Sequence, residues 1–95
     1  MNYKELDTPS LIVDRKQMVK NLKRMQEYAD AHHVGLRPHT KTHKTPALAL
    51  LQKEYGCSGI TVAKVGEAEV MAAAGLTDIF IANEIIGEEK YKRIQ

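Results

Sequence analysis

Apolar positions alternate between short continuous runs and helical stripes along the whole chain. Leu11-Ile12-Val13 is a β-branched run after Thr8-Pro9 and predicts a strand. Asp14 then stands where a helix N-cap belongs. Met18, Val19, Leu22, Met25 and Ala29 follow at helical spacing, which predicts a helix to about Ala31 with His32-His33 at its end. Val34 to Thr40 predicts a second strand. Thr45-Pro46 is a cap followed by proline at the first helical position, opening a helix to Tyr55 that Gly56 stops. Gly59 to Lys64 (GITVAK) predicts a third strand, and Gly66 to Ala74 a third helix stopped by Gly75. Asp78 to Asn83 (DIFIAN) predicts a fourth strand, and Gly87 opens a last helix.

The order is strand-helix, four times over. Such alternation favours parallel strands with right-handed crossovers. The strands are continuous apolar runs, as expected when both faces are covered. The predicted class is α/β, either the first half of an eight-fold β/α barrel or a small open flavodoxin-like sheet. A closed barrel needs about 250 residues, and this chain has 95. No glycine-rich phosphate loop follows any strand, which weakens a nucleotide-binding version of the open sheet. The final residues EEKYKRIQ fall inside a helix-like pattern and read as part of something longer.

Composition changes this picture little. A formal net charge of +2 is too small to imply a polyanion partner. The single cysteine, Cys57, excludes an intrachain disulfide and a multi-cysteine zinc site, and fits a reducing cytoplasm. The amino-terminal residues lack the apolar core of a signal peptide, and no run approaches the ~20 apolar residues of a membrane span.

The stretch RPHTKTHK, Arg37 to Lys44, carries the chemistry. On a strand, Arg37, His39 and Lys41 share one face, and Leu36, Pro38 and Thr40 the other. If the first face lines a barrel, Lys41 arrives at the mouth, where barrel active sites form. Crowding by Arg37, His39 and Lys44 would disfavour its charged form, and a neutral amine can form a Schiff base with a carbonyl. Three other readings compete. A basic loop at a strand end is commonly just solvated. His39 and His43 could contribute to a zinc site only if the chain turns at Thr42, because on a strand they lie over ~10 Å apart. A nucleic-acid patch would want aromatic stacking platforms, which the stretch lacks.

LDTPSLIVD, RPHTKTHK, GITVAKVGEAEVMAAAG and DIFIANEIIG, in that order, resemble the amino-terminal part of the D-threonine aldolase and D-serine dehydratase family, pyridoxal-phosphate enzymes with an alanine-racemase-like barrel. The resemblance runs from about Leu6 to the end. It implies that residues 1–95 are a partial cofactor-binding barrel domain of about four β/α units, with the rest of the barrel and a β-rich domain lying outside this sequence. It further implies that Lys41 carries pyridoxal phosphate, with Arg37 and His39 of the motif lining the cofactor pocket or serving in local charge tuning and packing, and Lys44 a decoy off their face. Asn83 ends the fourth predicted strand on the side where barrel sites form, placed to touch cofactor or substrate or to form the turn before Glu84. The implied reaction is cleavage of a D-β-hydroxy amino acid to glycine and an aldehyde. The ANE of Ala82 to Glu84 leans to this aldolase branch; dehydration to an oxo acid and ammonia, or racemisation, are the alternatives. A divalent metal would polarise the substrate hydroxyl from ligands outside this chain. Other expectations are a homodimer or other homo-oligomer, no nucleic-acid or membrane partner, and no turnover from the 95 residues alone. A non-catalytic, self-associating barrel fragment is the reading of another class. In this fold the Leu11–Val13 strand could instead join the later domain, making Val34–Thr40 the first barrel strand. Glu67 and Glu69 are explained by the dipole at the start of their helix.

Overall fold

The structure, a computed structural model, describes residues 2–95. Four α-helices and two short parallel strands follow from Arg15 onward, helix and strand alternating from the second helix: α1 (Arg15–Ala31), α2 (Pro46–Glu54), β1 (Ile60–Val62), α3 (Val65–Ala73), β2 (Ile79–Ile81) and α4 (Glu88–Ile94). The helix signals act as predicted. The Asp14 side chain accepts from the Gln17 N–H at 3.0 Å, satisfying a donor that the first turn leaves free. Pro46 is the first residue of α2. Gly56 and Gly75 take φ of +113° and +104° just past α2 and α3, a left-handed conformation that glycine adopts without a Cβ clash.

The strands are shorter than predicted, for identifiable reasons. β1 and β2 pair in register, Ile60 with Ile79 and Val62 with Ile81. The predicted strand over Val34–Thr40 survives as a single parallel bridge, His39 to Thr61. Its backbone still runs beside β1, where Leu36 and Pro38 carbonyls accept from Ser58 and Thr61 N–H groups, each at 2.8 Å. Pro38 has no N–H to extend the ladder, and at Thr40 the chain tightens into a 3-10 turn, Thr40–Thr42. The predicted strand at Leu11–Val13 does not form. These three residues are exposed, with no neighbouring strand to accept their backbone groups, and a lone extended segment is not a sheet.

Parallel register sorts the side chains by face. Ile60, Val62, Ile79 and Ile81 point toward the helices and pack with Ala49, Met71, Leu76 and Ala68 into the core. His39, Thr61 and Phe80 share the opposite face, and Phe80 is 56% exposed there. One face of the sheet is thus closed by helices; the other is open at Phe80, while Thr61 is buried.

Candidate functional site

The motif RPHTKTHK spans the length of the sheet. Arg37 lies at the foot, the amino-terminal end of the strands. Its Nη1 and Nη2 donate to Asp78 Oδ1 and Oδ2 at 2.7 and 3.1 Å, a two-point match of guanidinium and carboxylate. Nη1 also reaches the carbonyl oxygens of Ile60 and Asp78, each at 3.4 Å. The guanidinium, hydrogen-bonding first of all, holds the Asp78 carboxyl below its usual range. Gly59 makes the approach possible: a Cβ there would lie 2.6 Å from the Asp78 carbonyl oxygen and 2.7 Å from its carboxyl carbon. Sequence pattern alone could not pair Arg37 with a residue 41 positions away. Arg37 is engaged with Asp78 at the foot of the strands, the packing role that stands beside a place in the cofactor pocket.

Lys41 lies at the head, where the strands end. Thr40 anchors its turn: the side chain is buried and its hydroxyl donates to the Thr61 carbonyl at 3.2 Å. The Lys41 backbone N–H donates to His39 Nδ1 at 3.3 Å, which leaves the ring proton of a neutral His39 on Nε2. The Lys41 side chain is exposed, and none of the ion pairs among the described residues involves it. Two of the groups expected to crowd it have carboxylate partners. Asp78 draws Arg37 to the foot, and Lys44 reaches Glu67 Oε1 at 3.5 Å.

His43 faces away from this chemistry. Its Nδ1 accepts from the Thr45 N–H at 3.0 Å, and its Nε2 bonds Gln52 Oε1 at 3.2 Å. Both ring nitrogens are therefore taken, and His43 does not join His39 around a metal. Among the described residues no three His, Cys, Asp or Glu side chains gather into a possible metal site.

Asn83 follows β2, and the register places it level with Lys64. It lines an open cleft of about 460 Å³ at the head of the sheet, shared with Ala63, Lys64, Glu67 and Lys90. Its Oδ1 accepts from the Glu84 N–H at 3.0 Å. Lys41 is not among the residues lining this cleft, and no hydrogen bond among the described residues joins Asn83 to Lys41 or His39. Glu67, assigned a dipole role from sequence, makes side-chain contacts that local pattern does not reveal. Its Oε2 accepts from the Ala63 and Lys64 N–H groups at 2.7 and 3.2 Å. The Ala63 N–H is the leading reason its carboxyl is held below the usual range.

A separate apolar cavity of about 180 Å³ lies on the helix side, lined by Leu22, Met25, Leu36, Pro38 and Cys57 among others. Burial pushes the Cys57 thiol up, so it is a poor nucleophile. No helix among the described residues is long and apolar enough to cross a membrane.

Known proteins resemble this chain in sequence and fold. The chain is 49% identical over 85 residues to the D-threonine aldolase of an Arthrobacter species, covering 90% of this chain and 22% of that protein. It is 49% identical over 77 residues to the D-threo-3-hydroxyaspartate dehydratase of Delftia sp. strain HT23, covering 81% of this chain and 20% of that protein. The crystal structure of D-threonine aldolase from Filomicrobium marinum superposes with a TM-score of 0.92 at 44% identity, over 94% of this chain and 24% of the other. The chain thus spans between a fifth and a quarter of the length of these proteins. Its strand-helix order is that of the opening portion of their α/β fold. Matched over residues 13–95, it belongs to the alanine racemase N-terminal domain family.

Proposed function

We propose that this sequence is the cofactor-lysine portion of a pyridoxal-phosphate lyase that cleaves D-β-hydroxy amino acids to glycine and an aldehyde. The observation that carries the reading is Lys41: of the two amines in RPHTKTHK, it alone lacks an ion-pair partner, and it stands on an anchored turn at the head of parallel strands. A primary amine so placed fits the covalent attachment of an aldehyde cofactor. When bound, pyridoxal phosphate supplies an electron sink for the carbon atom whose bond is broken.

The residues of this chain have separable tasks. Lys41 Nζ would hold the cofactor. His39 fixes the start of the turn through the Lys41 N–H and presents its Nε2 on the open face. Asn83 would offer an amide to cofactor or substrate from the end of the neighbouring strand. Arg37 ties the extended segment before the turn to Asp78 at the foot of the sheet. The remaining strands, a β-rich domain, the phosphate-binding loops and the ligands of a divalent metal near the substrate hydroxyl would come from sequence outside these 95 residues. A cytoplasmic homo-oligomer acting on small D-amino acids completes the proposal.

The test is product analysis with the complete protein containing this sequence, given D-threonine and 3-hydroxy-D-aspartate. Glycine and an aldehyde are expected, and Lys41→Ala should abolish their release. An oxo acid and ammonia would reassign the protein to dehydration, the activity named for the Delftia relative. Turnover that survives Lys41→Ala would overturn the role of Lys41. The 95-residue chain by itself is expected to show no turnover.

A further inference from the structure

The turn carrying Lys41 is held at two points. Its near end is Thr40, buried and bonded to the β1 backbone. Its far end is Lys44, whose N–H donates to the Thr40 carbonyl at 2.7 Å and whose backbone takes a φ of +49°. That left-handed conformation is unfavourable for a residue with a long side chain, so something must hold it. The Lys44 side chain supplies a tether, with Nζ 3.5 Å from Glu67 Oε1.

Glu67 is an immobile partner for this tether. Its side chain is only 12% exposed, against 62% for Lys44. Its other oxygen is committed to the Ala63 and Lys64 N–H groups, immediately after β1. One carboxylate therefore joins the end of β1, the start of α3 and the far end of the Lys41 turn.

We propose that Lys44 and Glu67 are positioning residues: their ion pair fixes the far end of the turn that presents Lys41 and so sets the direction of the Lys41 amine. The proposal rests on Lys41 being the cofactor lysine. It gives a task to the second lysine of RPHTKTHK and to the first glutamate of GEAEV.

Amide hydrogen exchange and pyridoxal-phosphate labelling, both on the protein with and without substitution, test this separately. Glu67→Gln keeps an oxygen for the Ala63 N–H but loses the charge that holds Lys44. Lys44→Asn loses the tether while tolerating the left-handed backbone. In both, exchange at the amides of residues 41–44 should rise about two- to fivefold, the size expected for a half-exposed ion pair. Exchange at Ile60 and Val62 should not change, which separates this effect from general unfolding. The share of borohydride-fixed label on Lys41 should fall by a similar factor, and Lys44→Arg should restore both. Wild-type exchange at 41–44 in both variants would overturn the proposal, as would undiminished Lys41 labelling in Glu67→Gln. If the unsubstituted protein takes no label at Lys41, the cofactor assignment fails, and the exchange data still decide whether Glu67 holds the turn.

Discussion

The two ends of the sheet treat the cations of one eight-residue motif in opposite ways. At the foot, Arg37 is engaged: Asp78 grips both its terminal nitrogens, Nη1 also reaches two carbonyls, and Gly59 leaves the space. At the head, the backbone around Lys41 is pinned by His39, Thr40 and, through Lys44, Glu67, while its amine stays unpaired. A strand that binds its first cation tightly can present its last one freely. The two treatments lie four positions apart in the sequence, with the start of the 3-10 turn between them.

Substitutions at the two ends should therefore fail in different ways. The largest effect on stability is expected from Gly59→Ala. The new Cβ falls within 2.7 Å of the Asp78 backbone oxygen and carboxyl carbon, so β1, β2 or the Arg37 pair must move. Overpacking of this kind costs about 1–3 kcal/mol, to be read from the urea midpoint. Asp78→Asn removes the grip without adding bulk, and should lower the midpoint less than Gly59→Ala does.

Acid should act on both ends. The folded carboxyls of Asp78, Glu67 and Glu69 are all held below their ordinary values. A lowered folded value means that the stabilisation is complete above the ordinary carboxylate range and disappears as pH falls through the folded values. Stability should be flat near neutrality and decline below about pH 4. Asp78→Asn should make that decline shallower. The smallest effect on stability is expected from Lys41→Ala, within about 0.5 kcal/mol of the parent, as for an exposed residue without a partner. A large loss of stability in Lys41→Ala would contradict the division between the two ends.

Much of the fold could be read from sequence because its signals are local. Asp14, Pro46, Gly56 and Gly75 act within one turn of themselves, and all mark helix boundaries in the structure. Strands are less legible because a strand is defined by its neighbour. Leu11–Val13 has the composition of a strand but no partner among the described residues, and Val34–Thr40 loses its ladder to Pro38 and to the turn at Thr40. The site divides in the same way. Alternation along the strand set Lys41 apart from Lys44, but the partners of the neighbouring cations lie 41 and 23 residues away. Asp78 and Glu67 carry no local sign of which cation they will take, so neither pairing is legible in the sequence.

The central claim is that this chain presents one amine for an aldehyde cofactor. The direct test is to incubate the protein with pyridoxal phosphate, reduce with borohydride and map the modified peptides by mass, with Lys41→Ala and Lys44→Ala as controls. Label concentrated on Lys41, retained in Lys44→Ala and lost in Lys41→Ala, is the predicted result. Label spread over many lysines, or concentrated on Lys44, would contradict the claim.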